Sequence, residues 1–152
     1  MAEAVRYKFT QRFAVSAQEA FEWCTDYSLE DHALMGDTGA KRQIHRITEG
    51  ILILKDTFFC KSGTVKKEKL VQLYPENYFW VSTHLSGPNR YSQFLYTITP
   101  EGKDACLLTF VGLHLDYEGK EDADALAERL CREDGGVWKL LAERMAEELN
   151  GT

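Results

Sequence analysis

Residues 41–115 read KRQIHRITEG ILILKDTFFC KSGTVKKEKL VQLYPENYFW VSTHLSGPNR YSQFLYTITP EGKDACLLTF VGLHL. Apolar and polar side chains alternate along most of this run, and turn residues break it at intervals. Alternation with a period of two marks a half-buried strand. Six strands are predicted, over residues 43–48, 51–60, 64–74, 77–86, 91–99 and 104–116. The turns fall at Glu49-Gly50, Lys61-Ser62-Gly63, Pro75-Glu76, Gly87-Pro88-Asn89 and Pro100-Glu101-Gly102-Lys103. Glycine supplies positive φ, proline fixes φ, and asparagine tolerates the left-handed region. Loops this short predict antiparallel neighbours, so the run is a meander.

Upstream of it, Tyr7, Phe9, Phe13 and Val15 alternate with Lys8, Thr10, Arg12 and Ala14, with Gln11 as the exception on the apolar face. This is a first strand. Ser16 followed three residues later by Glu19 reads as a capping box opening a helix over 17–25. That helix presents Ala20, Phe21, Trp23 and Cys24. Residues 26–39 read as irregular, with a second short helix over 29–34 and a mobile loop around Gly36 and Gly39.

Downstream, residues 120–150 read as one long helix, with Leu126, Leu130, Val137, Leu141 and Met145 at helical spacing. Gly135-Gly136 interrupts it. Two adjacent glycines cost about 2 kcal/mol of helix propensity and mark a kink, a break, or a close approach by a ligand or strand.

Composition bounds the class. A chain of 152 residues, 44% hydrophobic and 28% charged, is expected to form one soluble globular domain, residues 1–152. A net charge of −6 disfavours nucleic acid as a partner. Residues 120–150 carry nine acids and five bases, while residues 55–69 carry five lysines against Asp56 and Glu68. Two solvated faces of opposite sign are the plain reading. The first residues, Met1-Ala2-Glu3-Ala4-Val5-Arg6, have no apolar signal core, and no stretch reaches the length of a membrane span. Cys24, Cys60, Cys106 and Cys131 form no C-x-x-C pair. That pattern predicts a reduced, cytoplasmic protein without disulfides or structural zinc.

The order strand, helix, irregular segment, six-stranded meander, long helix resembles the START-related helix-grip superfamily, also called SRPBCC or polyketide cyclase/dehydrase-like. Phe13-Ala14-Val15-Ser16-Ala17-Gln18-Glu19-Ala20-Phe21-Glu22-Trp23 resembles the family's opening strand, cap and helix. Val71-Gln72-Leu73-Tyr74-Pro75-Glu76-Asn77-Tyr78-Phe79-Trp80 resembles its central hairpin. The match covers nearly the whole chain. It implies an α+β fold: a seven-stranded curved antiparallel sheet wrapped around a long C-terminal helix, with short helices after strand 1 and an internal cavity. The family's lipid carriers, hormone receptors, cyclases and chaperone activators share the fold without sharing a function.

The turns set a pairing. Closing one hairpin between Tyr74 and Asn77 puts Val71 opposite Trp80 and Lys67 opposite His84. Closing the next between Gly87 and Arg90 puts His84 opposite Gln93. One face then collects Val71, Leu73, Trp80, Ser82, His84, Tyr91, Gln93, Leu95, Leu108, Phe110 and His114. The other collects Phe79, Val81, Leu85, Phe94, Tyr96, Ile98, Leu107, Val111 and Leu113. The first is assigned to the cavity, because it grades from apolar to polar as an amphipathic ligand requires. The second is nearly all apolar and is the candidate homodimer surface. A slip of one residue swaps the faces.

The predicted site follows. Trp80, Phe110, Trp138 and Leu141 supply apolar walls; His84, Tyr91, Gln93 and His114 orient a small hydrophobic or amphipathic ligand. No cofactor and no metal is expected, since His32, His45, His84 and His114 show no ligand spacing. The leading function is ligand binding or transport without catalysis. A polyketide cyclase or dehydratase using His84 with Tyr91 or His114 is one alternative, and a protein-interaction module of the chaperone-activator type is another. Asp56 is read as an outward carboxylate on a strand. Lys67 and Lys69 are read as lysines protecting a strand edge, with an acidic ligand head group as the other reading.

Overall fold

The computed structural model describes residues 2–27 and 40–151. The strands are β1 (Glu3–Phe13), β2 (Lys41–Thr48), β3 (Ile51–Cys60), β4 (Gly63–Tyr74), β5 (Phe79–His84), β6 (Gln93–Pro100) and β7 (Cys106–Asp116). The helices among the described residues are α1 (Ala17–Thr25) and α2 (Ala123–Asn150), with a 3-10 turn at Pro75–Asn77. The predicted second short helix and the loop around Gly36 and Gly39 lie outside the described residues.

All seven strands form one antiparallel sheet in the order β1-β7-β6-β5-β4-β3-β2. Consecutive strands of the meander are neighbours, as their short turns require. β1 joins the far edge by pairing with β7, from Glu3 opposite Asp116 to Phe13 opposite Cys106. α2 lies across the inner face of the sheet, and this is the helix-grip fold.

α1 forms where the capping signal placed it. Ser16 Oγ accepts from the Glu19 backbone N–H at 3.2 Å and donates to Glu19 Oε1 at 2.9 Å. The helix buries Ala17, Ala20, Phe21 and Thr25. α2 is capped by Asp122, whose Oδ1 accepts from Ala125 N–H at 3.0 Å. It ends on Gly151 at φ 72, the left-handed conformation that glycine adopts most readily. The helix runs unbroken through Gly135-Gly136. A side chain at either glycine would meet open space, so neither marks a break or a close approach.

Two hydrophobic clusters fill the space between helix and sheet. The first gathers Phe13, Val15, Phe21, Leu52, Leu54, Val71, Trp80, Ile98, Leu108 and Met145, each nearly inaccessible to solvent. At this end Trp23 Nε1 donates to Glu148 at 3.0 Å and Asn150 Nδ2 donates to the Ala14 carbonyl at 3.0 Å. The second cluster, Tyr7, Phe94 and Phe110, lies nearer the start of α2 and packs on Leu130, Cys131 and Trp138.

The β6 face departs from the sequence reading. Phe94, Tyr96 and Ile98 point inward, and Gln93 and Leu95 outward. The cause is one residue in the β5–β6 turn. Tyr91 adopts φ 68 and donates its N–H to the His84 carbonyl at 2.7 Å, while His84 N–H donates to the Ser92 carbonyl at 2.9 Å. Two residues thus oppose His84, a bulge, and Thr83 rather than His84 pairs with Gln93. The slip turns the whole of β6 over. In the β4–β5 hairpin Val71 pairs with Ser82 and Leu73 with Trp80. That register differs from the expected one by two residues, which leaves the faces unchanged.

Candidate functional site

Between α2 and the sheet, at the second cluster, lies a cavity of about 370 Å³. β1 contributes Tyr7; β4, Lys69; β5, Ser82 and His84; β6, Phe94 and Tyr96; β7, Phe110 and His114. α2 closes it with Leu130, Asp134, Val137, Trp138 and Leu141, one stripe at helical spacing. Asn89 of the β5–β6 turn also reaches it. Asn89 and His114 are shared with an outer pocket of about 330 Å³ whose other lining includes Lys67, Asp116, Lys120, Glu121 and Arg129. A charged vestibule therefore adjoins an aromatic interior.

The aromatic wall is continuous. Tyr96 stacks on Trp80 with centroids 4.7 Å apart and planes 4° from parallel. It meets Phe110 edge-on at 5.2 Å and Trp138 at 5.6 Å. Phe110 stacks on Phe9 at 4.5 Å. Such pairs contribute about 0.5–1.5 kcal/mol each beyond area burial and hold the rings in fixed poses.

Polar groups break this wall at defined points. Tyr7 donates its hydroxyl to Asp134 Oδ2. The Tyr7 ring lies against Gly112, where a Cβ would collide with it, so the missing side chain on β7 lets the phenol lie across the strand. Burial, reinforced by Asp134, pushes the Tyr7 phenol well above its ordinary range. Burial also raises Asp134, against the lowering by the Tyr7 hydrogen bond. Burial likewise raises Tyr96, whose hydroxyl has no hydrogen-bond partner among the described residues.

His84 tilts over Phe94 at 5.0 Å, and its Nδ1 lies 3.3 Å from Asn89 Oδ1. An amide oxygen only accepts, so Nδ1 carries the proton and Nε2 is left as an acceptor. Burial, then the neighbouring Lys69 charge, pushes His84 down to about 4. It is neutral at physiological pH and is a hydrogen-bond acceptor rather than an acid. Burial also lowers His114, against Asp116 and Asp134.

Lys69 lies directly across from His84. β5 flanks β4 from Lys69 onward, so the edge-protection reading fails for Lys69, while Lys67 lies where β4 pairs with β3 alone. The surface that Lys69 retains opens into the cavity, and burial lowers its pKa. Lys67 sits over the Phe58 ring at 5.4 Å and faces the vestibule. The outward reading of Asp56 fails too. Asp56 is 1% exposed and clasped by Arg42, Nε to Oδ1 at 2.7 Å and Nη2 to Oδ2 at 3.1 Å.

Of the predicted site residues, His84, Phe110, His114, Trp138 and Leu141 line the cavity. Trp80 lies one layer behind it, under Tyr96. Tyr91 is 59% exposed on the turn and Gln93 faces solvent; the bulge removes both from the interior. The cyclase pairing of His84 with Tyr91 is removed with them. Tyr7, Lys69, Phe94, Tyr96 and Asp134 were missed. Two signals pointed to them: Lys69 shares parity with Val71 and Leu73, and Asp134 is one turn from both Leu130 and Trp138.

Among the described residues no cluster of His, Cys, Asp and Glu is arranged to hold a metal, and no helix is long and apolar enough to cross a membrane. No protein-family model and no curated protein matches the chain. Solved structures do. The Zhui aromatase/cyclase from Streptomyces sp. R1128 superposes with a TM-score of 0.75 at 11% identity, covering 97% of this chain and 96% of that one. Norcoclaurine synthase from Thalictrum flavum gives 0.70 at 14% identity, covering 99% and 89%. The di-domain aromatase/cyclase StfQ of the steffimycin pathway gives 0.71 at 14%, covering 98% of this chain and 52% of that one. At these identities the likeness is one of fold, and it is the helix-grip fold.

Proposed function

We propose that this protein binds a small apolar or amphipathic molecule in the cavity between α2 and the sheet. The observation that carries this is the cavity of about 370 Å³, walled by Phe94, Tyr96, Phe110, Trp138 and Leu141, with polar groups facing into it. An apolar hollow with a few fixed polar groups is the usual build of a small-molecule site. The Tyr96 hydroxyl adds weight, since this partly buried residue lines the cavity and its hydroxyl has no hydrogen-bond partner among the described residues. The fold supports ligand binding as well. Neutral His84 offers Nε2 to a ligand hydroxyl, and Asn89 and His114 stand where cavity and vestibule meet.

The test is a titration with 1-anilinonaphthalene-8-sulfonate, an amphipathic aromatic probe, backed by native mass spectrometry for stoichiometry. One probe per chain is expected. Leu141→Trp fills the cavity and is expected to weaken binding at least about tenfold, a loss of about 1.4 kcal/mol. Tyr74→Ser, on the outer face, leaves it unchanged. Equal affinity in the wild type and Leu141→Trp, or no stoichiometric binding, overturns the proposal.

A further inference from the structure

We propose that Lys69 captures a carbonyl compound, an aldehyde or ketone carried on an apolar body, as an imine inside the cavity. This rests on the cavity-binding reading above and adds a covalent step and a ligand class to it.

The argument starts from what surrounds the amine. Lys69 projects from an interior strand into the cavity. Among the described residues it has no hydrogen bond and no ion pair. The carboxylate facing it from β3, Asp56, is held by both arms of Arg42. That pair is close to neutral as seen from Lys69. Lys67 on the same strand repels a second positive charge, as does Arg42. From β5 it faces His84, which is neutral; from β7, His114, which burial also disfavours as a cation. From β1 and β6 it faces Tyr7 and Tyr96, both held as neutral phenols. From α2 it faces Asp134, engaged by Tyr7 and itself shifted toward its neutral form.

An ammonium here is largely desolvated, and the two carboxylates it faces are each held by another partner, Asp56 by Arg42 and Asp134 by Tyr7. Lysine answers such burial by shedding its proton. The uncharged amine is a nucleophile, and an apolar pocket is where Schiff-base lysines arise. A carbonyl carbon is the electrophile it takes reversibly.

The step balances with no outside oxidant or reductant. The Nζ lone pair attacks the carbonyl carbon, and the C=O π pair moves to oxygen. A proton passes from nitrogen to that oxygen, giving a carbinolamine. The hydroxyl then leaves with one more proton as water, and the nitrogen lone pair closes the C=N bond. Asp134, which burial shifts toward its neutral form, gives the departing water its proton and takes back the one left on nitrogen, and Tyr7 holds it in place. The aromatic wall from Tyr96 to Phe110 and Trp138 favours a flat, conjugated body behind the carbonyl.

The experiment is reductive trapping with 2-naphthaldehyde and sodium cyanoborohydride at pH 7, read by peptide mass spectrometry. Lys69 is expected to carry the label at about one per chain, at least about tenfold faster than the exposed Lys41 and Lys103, since each unit of pKa depression raises the uncharged fraction about tenfold. Lys69→Met is expected to abolish fast labelling and to raise the melting temperature, because it removes an unpartnered amine; Lys69→Arg abolishes labelling with charge retained. Asp134→Asn keeps the shape that Tyr7 binds and slows trapping while flattening its pH profile. Labels spread over exposed lysines with Lys69 unmodified overturn the inference. If the sulfonate probe still binds in that case, cavity binding stands and only the covalent step falls. If the probe fails as well, the fault lies in the cavity reading itself.

Discussion

The two ends of the helix–sheet interface are built differently. Near α1 the space is filled: Phe13, Phe21, Trp80, Leu108 and Met145 close against one another at no more than 6% exposure. Near the start of α2 the same sheet faces the same helix across a hollow. α1 plugs the first end by sending Phe21 edge-on to Trp80 at 5.6 Å. At the other end no described helix fills that role, and α2 offers Leu130, Asp134, Val137 and Leu141 across the gap. A filled interface contributes stability, and a hollow one forgoes it.

The largest effect should therefore come from cutting into the filled end. Trp80→Ala is expected to cost about 3–5 kcal/mol, measured by urea denaturation. Leu141→Ala, beside the hollow, is expected to cost about 1–2 kcal/mol, because fewer packed neighbours are lost. Equal costs would break the contrast.

Acid should act mainly on the hollow end. His84 titrates at about 4 when folded and near 6.5 when unfolded, so the unfolded chain binds more protons between these values. The stability contribution is complete above about pH 6.5 and is lost as the pH falls toward 4. The loss amounts to roughly 2–3 kcal/mol over that window. Lowered His114 acts with the same sign, and raised Asp134 with the opposite sign. Denaturation midpoints of wild type and His84→Gln across pH 4–7 give the test, and the variant should show a shallower slope. A slope unchanged by the substitution would place the acid sensitivity elsewhere.

The smallest effect belongs to neither end. Gly136 sits exposed in mid-helix with open space around it. Gly136→Ala is expected to raise stability by about 0.5–1 kcal/mol without changing probe affinity. A change in affinity would mean that the glycine shapes the cavity after all.

The fold was legible because its signals are local. Turn residues bounded each strand to within a few positions, and Ser16 with Glu19 announced α1. The site was legible in part, and its gaps have identifiable causes. Tyr91 takes a left-handed conformation unusual for a tyrosine, so no residue preference signalled the bulge that turned β6 over. Lys69 was masked by a rule for edge strands, although the meander flanks β4 with β3 and β5 and so makes Lys69 an interior position. Asp134 stood in a helix rich in acids, where nothing but the stripe through Leu130 and Leu141 set it apart.

β1 has one neighbour in the sheet, β7, and Tyr7 meets Asp134, 127 positions further along the chain. On a ribosome adding about 5–20 residues per second, Tyr7 waits roughly 6–25 seconds for that partner to be made. Through the wait the apolar side of β1, with Val5, Tyr7, Phe9 and Phe13, has no partner to cover it. The cavity is thus among the last parts of this domain to form.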